Sequence, residues 1–467
     1  MRVEFFVFLA LYFVLVLFVG LAFSRRMKSL EDFFLASRKL PASLVFFSLS
    51  ASWFGATSTL VSTDEAYTVG VSSFWVIGMP TVLTVLVLAL FLARRIHSLP
   101  IVSLPDLVEL RYGKSVRYLA AILIVWYMSV LAASQMVAIG NFLKVFLGSP
   151  YLLSLALGTG VVLLYSVFGG FFSVAVTDSL QFFLLVVGLV SLLVFLLHTS
   201  PASQIPSLAL ELGREGYFDF FFDFKRNFLI LISFTLAWTI SPIAWQRIQS
   251  ARQAKKAKQA LFASSGVFFL LYWLVVGVGI LSLPLFFTQK MENPVLSELI
   301  SSSTGIYLGA VLFVAIVAAI MSTMDSAINT GALVMTRDLY QQLFPHRIER
   351  RVIAVSRLAT LVVGLIAFVV ATRFQSILKT LGLASEIMAE GLFIPGMAMI
   401  FLKRKIPMAG MLSLGLGGGF SLLSFASETK LLPLNLPPWP YSVPYGLALC
   451  GLGFFLGYIY EIKRKTP

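Results

Sequence analysis

The chain has one cysteine, three histidines and only 12% charged residues among its 467. A lone Cys450 forms no disulfide within the chain and supplies no thiolate cluster. His97, His198 and His346 lie near expected loops and far apart in sequence, so neither a histidine metal site nor a His-based triad is expected. Soluble domains carry about 25% charged residues. The shortfall here, with 59% hydrophobic residues and a mean hydropathy of +0.93, excludes an ordinary soluble domain. Gly113-Lys114-Ser115 ends like a phosphate-binding loop, but Val108 stands where that loop needs a glycine. Neither GxSxG nor HExxH occurs, so no ATP-driven pump and no enzyme is expected.

What is present is a succession of apolar runs long enough to cross a bilayer, which takes about 20 residues each. They fall near 3–23, 42–62, 68–93, 117–147, 151–175, 178–198, 226–247, 262–288, 306–335, 353–372, 376–402, 406–426 and 442–460, here spans 1 to 13. The first run is longer than a signal-peptide core and leads into Arg25-Arg26, not a small-residue cleavage site, so it reads as a retained span. Most of the 35 Lys and Arg fall in loops that lie inside if the N-terminus is outside and the C-terminus cytoplasmic. Arg94-Arg95, Arg247, Lys255-Lys256, Arg350-Arg351 and Lys463-Arg464-Lys465 are among them. The net charge of +14 therefore reads as topology signalling in a multi-pass plasma-membrane protein, with the lipid bilayer as partner and no nucleic acid. The outside stretches 199–225 and 289–305 hold Pro201, Pro206 and Pro294 and are expected to carry short surface helices. With no linker or low-complexity tract, residues 1–467 read as one transmembrane domain with no obligatory protein partner evident.

Two spans are interrupted. Span 2 reads Ser48-Leu49-Ser50-Ala51-Ser52-Trp53-Phe54-Gly55-Ala56-Thr57-Ser58-Thr59, a run of small and polar residues in mid-membrane. Span 7 holds Pro242, which removes an N–H and clashes with the preceding turn. Small residues also permit close helix packing. Interruptions five spans apart, however, occupy matching positions of two inverted repeats, and paired broken helices mark a transporter's binding site.

Span 9 carries Ala319, Ser322, Thr323 and Ser326 at i, i+3, i+4 and i+7, one helical face. Two hydroxyls and the Ala319 carbonyl offer three oxygens to a hard monovalent cation, and the broken backbone of span 2 offers two more. Such hydroxyls also bond back to their own helix. Carboxylates expected inside the membrane are Asp178, Asp325, Glu386 and Glu390, each costly to bury without a partner. Helix capping is the plainer reading of Asp178, and a shallow, solvated helix end that of Glu386 and Glu390.

Several segments together carry a resemblance: Trp53-Phe54-Gly55-Ala56; Phe168-Gly169-Gly170 followed by Thr177-Asp178 and Gln181; and Pro242 with Trp245-Gln246-Arg247. Ala319-x-x-Ser322-Thr323-x-Asp325-Ser326 and Thr336-Arg337-Asp338-Leu339-Tyr340 complete it. In this order the chain resembles the sodium:solute symporter family over nearly its whole length. The resemblance implies an all-α fold with a five-plus-five inverted-repeat core of the leucine-transporter type, its repeats about 42–198 and 226–402, with spans 1, 12 and 13 peripheral. It implies sodium-coupled import of a small organic solute by alternating access. Sodium would be held by the carbonyls of Ala51, Phe54 and Ala319 and the hydroxyls of Ser322 and Thr323. A second ion would use Asp178 and Ser326. Solute contacts would come from Ser58, Phe234, Trp238, Pro242, Ile387 and Glu390. Trp53 and Ile387 depart from the proline and galactose members of the family, so neither solute is assigned. Glu386 and Glu390 are unusual for it. A proton-coupled transporter working through Asp178, Glu386 or Glu390 is the alternative, and a non-accumulating channel or sensor a more distant one.

Overall fold

The computed structural model describes residues 3–24, 35, 38–168, 171–289, 291–345, 349–402 and 404–465; Gly169, Gly170, His346 and the Arg25-Arg26 pair lie outside them. A bilayer leaves no water for backbone groups, so a chain this apolar must close its hydrogen bonds within helices. Among the described residues there is no strand, only one isolated bridge, Leu40 to Ala251, and a few backbone bonds tie separate segments, such as Val71 N–H to the Tyr217 carbonyl at 3.0 Å.

The thirteen expected spans are all helical. Span 1 is Val3–Ser24, and spans 3 to 6 center on Gly78–Val87, Lys114–Leu147, Tyr151–Phe168 and Phe171–Thr199. Spans 8 to 10 are Ala254–Leu281, Ile306–Val334 and Glu349–Arg373, and spans 12 and 13 are Pro407–Glu428 and Val443–Lys465. Spans 2, 7 and 11 are composite. Span 2 runs as Ala42–Trp53, then Thr57–Val61 and Ser62–Val69, before Gly70 (φ 70°) turns the chain back toward span 3. Span 7 is Phe224–Thr239 and Pro242–Ser250, bent by 42° at the break. Span 11 is Ile377–Glu386 and Phe393–Phe401 joined by a π-helical turn, Ile387–Leu392. The outside stretches carry the short helices Ile205–Glu211 and Val295–Glu298. One helix was not legible in the apolar pattern: Leu104–Tyr112, which opens with a capping box between Ser103 and Asp106.

Span 9 lies at the center, buried along almost its whole length and packed on spans 1, 2, 4, 6 and 10. Spans 12 and 13 pair at the edge, where a side chain at Gly453 would start 2.5 Å from the Leu412 carbonyl, so that GxxxG serves close packing. Outward faces are apolar: Leu358, Leu361, Leu365 and Val369 form an exposed stripe on span 10, which suits lipid.

An ion cluster ties the expected cytoplasmic ends together. Arg117 pairs with Glu109, with Asp106 at 2.8 Å and with Asp338 at 2.5 Å, while Arg337 reaches Asp106 at 3.1 Å. Burial alone would raise the Asp106 carboxyl, but Arg337, the Val102 N–H, Arg117 and the Ser103 N–H outweigh it and hold it below the ordinary carboxylate range. A carboxyl depressed in the fold stabilises it above the ordinary range and loses that contribution as pH falls through the folded value. Asp106→Asn therefore costs roughly 2 kcal/mol at neutral pH, and the difference from the parent closes in acid; thermal unfolding in lipid nanodiscs across pH checks both.

Candidate ion and solute site

The site begins where span 2 stops being an α-helix. Phe54 leaves helical geometry (φ −103°, ψ 59°), and the last carbonyls of the first half need new partners. Ser50 keeps a bond from the Phe54 N–H at 3.0 Å, and Ser58 Oγ donates to the Trp53 carbonyl at 3.1 Å. The Ala51 carbonyl accepts from Ser322 Oγ of span 9 at 2.9 Å, and the same hydroxyl lies 2.9 Å from the Ala319 carbonyl. Three of the five expected sodium ligands thus converge on one point. Thr323 Oγ1 beside them is buried with no hydrogen-bond partner. Gly55 makes this approach possible, because a Cβ there would overlap Thr323 Oγ1.

Beside these oxygens lies a cavity of about 40 Å³. Its wall includes Trp53, Ser58, Tyr127, Gln135, Trp238 and Thr323, so one residue of the ion cluster also faces the cavity. The halves of the broken spans meet there, with the Trp53 and Trp238 rings 6.0 Å apart. Phe234 stands behind Trp238, stacked at 4.7 Å, and Pro242 sits between the lining residues Ser241 and Ile243. Ile387 and Glu390 are buried but are not among the lining residues; Leu381 is what span 11 contributes. Gln135 and Tyr127 were not singled out from the sequence, although a glutamine in mid-span 4 was a usable signal. Outside this cavity a larger one of about 730 Å³ opens among Val61, Glu65, Lys144, Arg214, Ile377 and Leu378. Val61 and Leu378 each lie one helical turn from a lining residue of the inner cavity, Ser58 and Leu381.

Asp178 and Ser326 come together below, but with a side chain between them. Arg247 Nη2 donates to Ser326 Oγ at 2.6 Å and to Ser52 Oγ at 2.7 Å, and lies 3.6 Å from Asp178 Oδ2. Ser48 donates to the same carboxylate at 2.7 Å, and Tyr165 donates to Asp325 at 2.7 Å. Arg247, counted with the cytoplasmic loop on sequence, is a correction: it is 1% exposed, because the bend at Pro242 turns the second half of span 7 into the bundle. Asp178 is no helix cap, since its helix starts seven residues earlier at Phe171. Glu386 and Glu390 are fully buried, so the solvated helix end does not hold for them either.

Residues 33–417 match the sodium:solute symporter family. The chain belongs to that family. It is 25% identical to a sodium/glucose cotransporter of Vibrio parahaemolyticus, over 92% of this chain and 85% of that one. It is 26% identical to the high-affinity proline transporter PutP of Bacillus subtilis, over 76% and 78%. A solved sodium-coupled sialic acid symporter superposes with a TM-score of 0.79 at 18% identity, covering 98% of this chain and 97% of that one. The fold is thus the inverted-repeat core of the leucine-transporter type, and as a sodium:solute symporter the protein couples sodium to solute import.

Removing one member of a buried ion pair costs about 3–5 kcal/mol. Arg247→Met should lower the unfolding temperature in nanodiscs sharply, and Asp178→Asn in the same chain should restore part of the loss; a double-mutant cycle reads the coupling.

Proposed function

We propose that the protein stands in the plasma membrane with its N-terminus outside and carries sodium and one small organic solute inward together. Sodium sits among the carbonyls of Ala51, Phe54 and Ala319 and the hydroxyls of Ser322 and Thr323. The solute binds where the cavity next to it lies, against Ser58 and Trp238 with Phe234 and Pro242 behind them, and the cavity of about 40 Å³ widens to admit it. One observation carries this reading: Ser322 Oγ lies 2.9 Å from both a carbonyl freed by the break in span 2 and one in span 9, with the unpartnered Thr323 hydroxyl adjoining. A cation there ties the broken span to the central one, and Thr323 passes the effect to the solute. Ligand coupling of this kind is reciprocal, so each ligand raises the other's affinity by the same factor. No ionised side chain is among the described residues lining the cavity, which favours a solute with hydroxyl or amide groups and an apolar face. Arg247 supports a single sodium per cycle, because its guanidinium stands between the two residues that a second ion would use.

The driving force is adequate. One sodium supplies about 2.3 kcal/mol per 100 mV and about 1.4 kcal/mol per tenfold concentration ratio. Together, roughly 3.7 kcal/mol supports about 500-fold accumulation of solute.

A thermal-shift screen of purified protein against amino acids, sugars, carboxylates and nucleobases, with and without sodium, identifies the solute as a compound that stabilises only with sodium present. Ser322→Ala and Thr323→Ala each raise the sodium concentration for half-maximal stabilisation about tenfold, roughly 1.4 kcal/mol, at near-parental abundance. Unchanged sodium dependence in both variants refutes the assignment.

A further inference from the structure

Span 11 has two faces. Leu381 lines the solute cavity, and Ile377 and Leu378 line the outer vestibule. Glu390 faces away from the cavity toward spans 12 and 13, whose Gly446 and Gly417 lie against it. The opposite face holds two carboxyls one turn apart, both fully buried. Glu386 has partners: Ser442, which precedes span 13, donates to it, and Ser424 of span 12 lies 3.4 Å away. Neither carboxyl oxygen of Glu390 has any.

The surroundings of Glu390 are shaped to admit it. A Cβ at Gly446 of span 13 would overlap its Oε2, and one at Gly417 of span 12 would overlap its backbone carbonyl. The π-helical turn Ile387–Leu392 places the residue at this seam. Other ionisable groups near the pair are Cys450 of span 13, with Tyr112 beyond it, and Glu428 of span 12, which Lys379 of span 11 already pairs. No basic side chain is within ion-pair distance of Glu386 or Glu390 among the ion pairs of the described residues.

We propose that Glu390 is a proton-binding site, separate from the sodium and solute sites, whose loading lets span 11 seat against spans 12 and 13. An ionised carboxylate enclosed there would be an isolated charge, costing several kcal/mol; a proton removes that charge without needing further ligands. A metal cation would need several converging oxygens, whereas a proton needs none beyond the carboxyl itself, and no hydrogen-bond donor reaches either Glu390 oxygen. Release of the proton leaves a charge at the seam and drives span 11 away from spans 12 and 13. The same span lines both cavities, so proton loading controls access of solute to its site. This last step rests on the proposed solute cavity; the proton site itself does not.

Infrared difference spectra of the protein in nanodiscs, recorded between acidic and alkaline buffer, test it. The parent should show the carbonyl stretch of a protonated carboxylic acid at neutral pH, and Glu390→Gln should lose that band while Glu386→Gln retains it. Glutamine copies the neutral acid, so Glu390→Gln should fold at least as well as the parent and unfold at a temperature that falls less steeply than the parent's as pH rises. Loss of folded protein in Glu390→Gln, or a parent spectrum with no Glu390-dependent band, overturns the proposal. A carboxylate band that shifts on adding sodium at fixed pH assigns the pair to a metal cation and overturns it as well. Sodium-dependent stabilisation through Ser322 is read separately in the same Glu390→Gln sample, so failure of one reading leaves the other measurable.

Discussion

A backbone carbonyl inside a bilayer has no water to bond, so each one that a helix releases must be met by something else. This constraint organises the center of the molecule. The break at Phe54–Gly55 frees the last carbonyls of the first half of span 2, and the protein meets them with hydroxyls: Ser58 at Trp53 and Ser322 at Ala51. Hydroxyls are adaptable partners, because one oxygen both donates to a carbonyl and accepts from a cation. A carbonyl held this way can exchange its partner for an ion without losing a strong covalent or ionic tie. That property suits a site that must load and empty in every cycle.

Charge is handled by a different rule. Asp178 and Asp325 are fully buried, with Arg247 beside Asp178 and donating to Ser52 of span 2 and Ser326 of span 9. A buried pair is weak evidence for stability but strong evidence for geometry, because its members are costly to separate. Ser52 belongs to both environments: it accepts from Arg247 and lines the inner cavity. The Arg247 network and the cavity wall therefore share a residue on the first half of span 2, as the oxygens around Ser322 and that wall meet at Thr323. Two independent links between charge and cavity run through two different spans.

What the sequence made legible follows from the range of each interaction. Apolar length is local, so the thirteen spans could be drawn, though ends of spans 2, 5, 6 and 8 lie seven or eight residues from the expected ones, and Pro242 announced the bend in span 7 on its own chemistry. The hydroxyl stripe of span 9 was legible because helical periodicity places Ser322 and Thr323 together. Arg247 was not: its place depends on a 42° bend that carries it away from the basic loop it borders in sequence. The burial of Glu390 was equally hidden, since the residues that enclose it, Gly417 and Gly446, are distant in sequence and join only when spans 12 and 13 pack on span 11. The helix Leu104–Tyr112 escaped because it is too short and too polar for an apolar-run criterion, yet its Ser103–Asp106 cap was written in the chain.

The two cavities set how small a movement is needed for transport. Val61 and Ser58 lie one turn apart on span 2, and Leu378 and Leu381 one turn apart on span 11, so the outer vestibule and inner cavity are separated by about one turn on each. The expected cytoplasmic end is held by the Arg117–Asp106–Asp338 cluster and its pairing with Arg337. Opening that end requires buried ion pairs to come apart, each costly to separate. Under the proposed site assignments, ion and solute binding has to offset that separation, and Thr323, placed in both, adds the two contributions together.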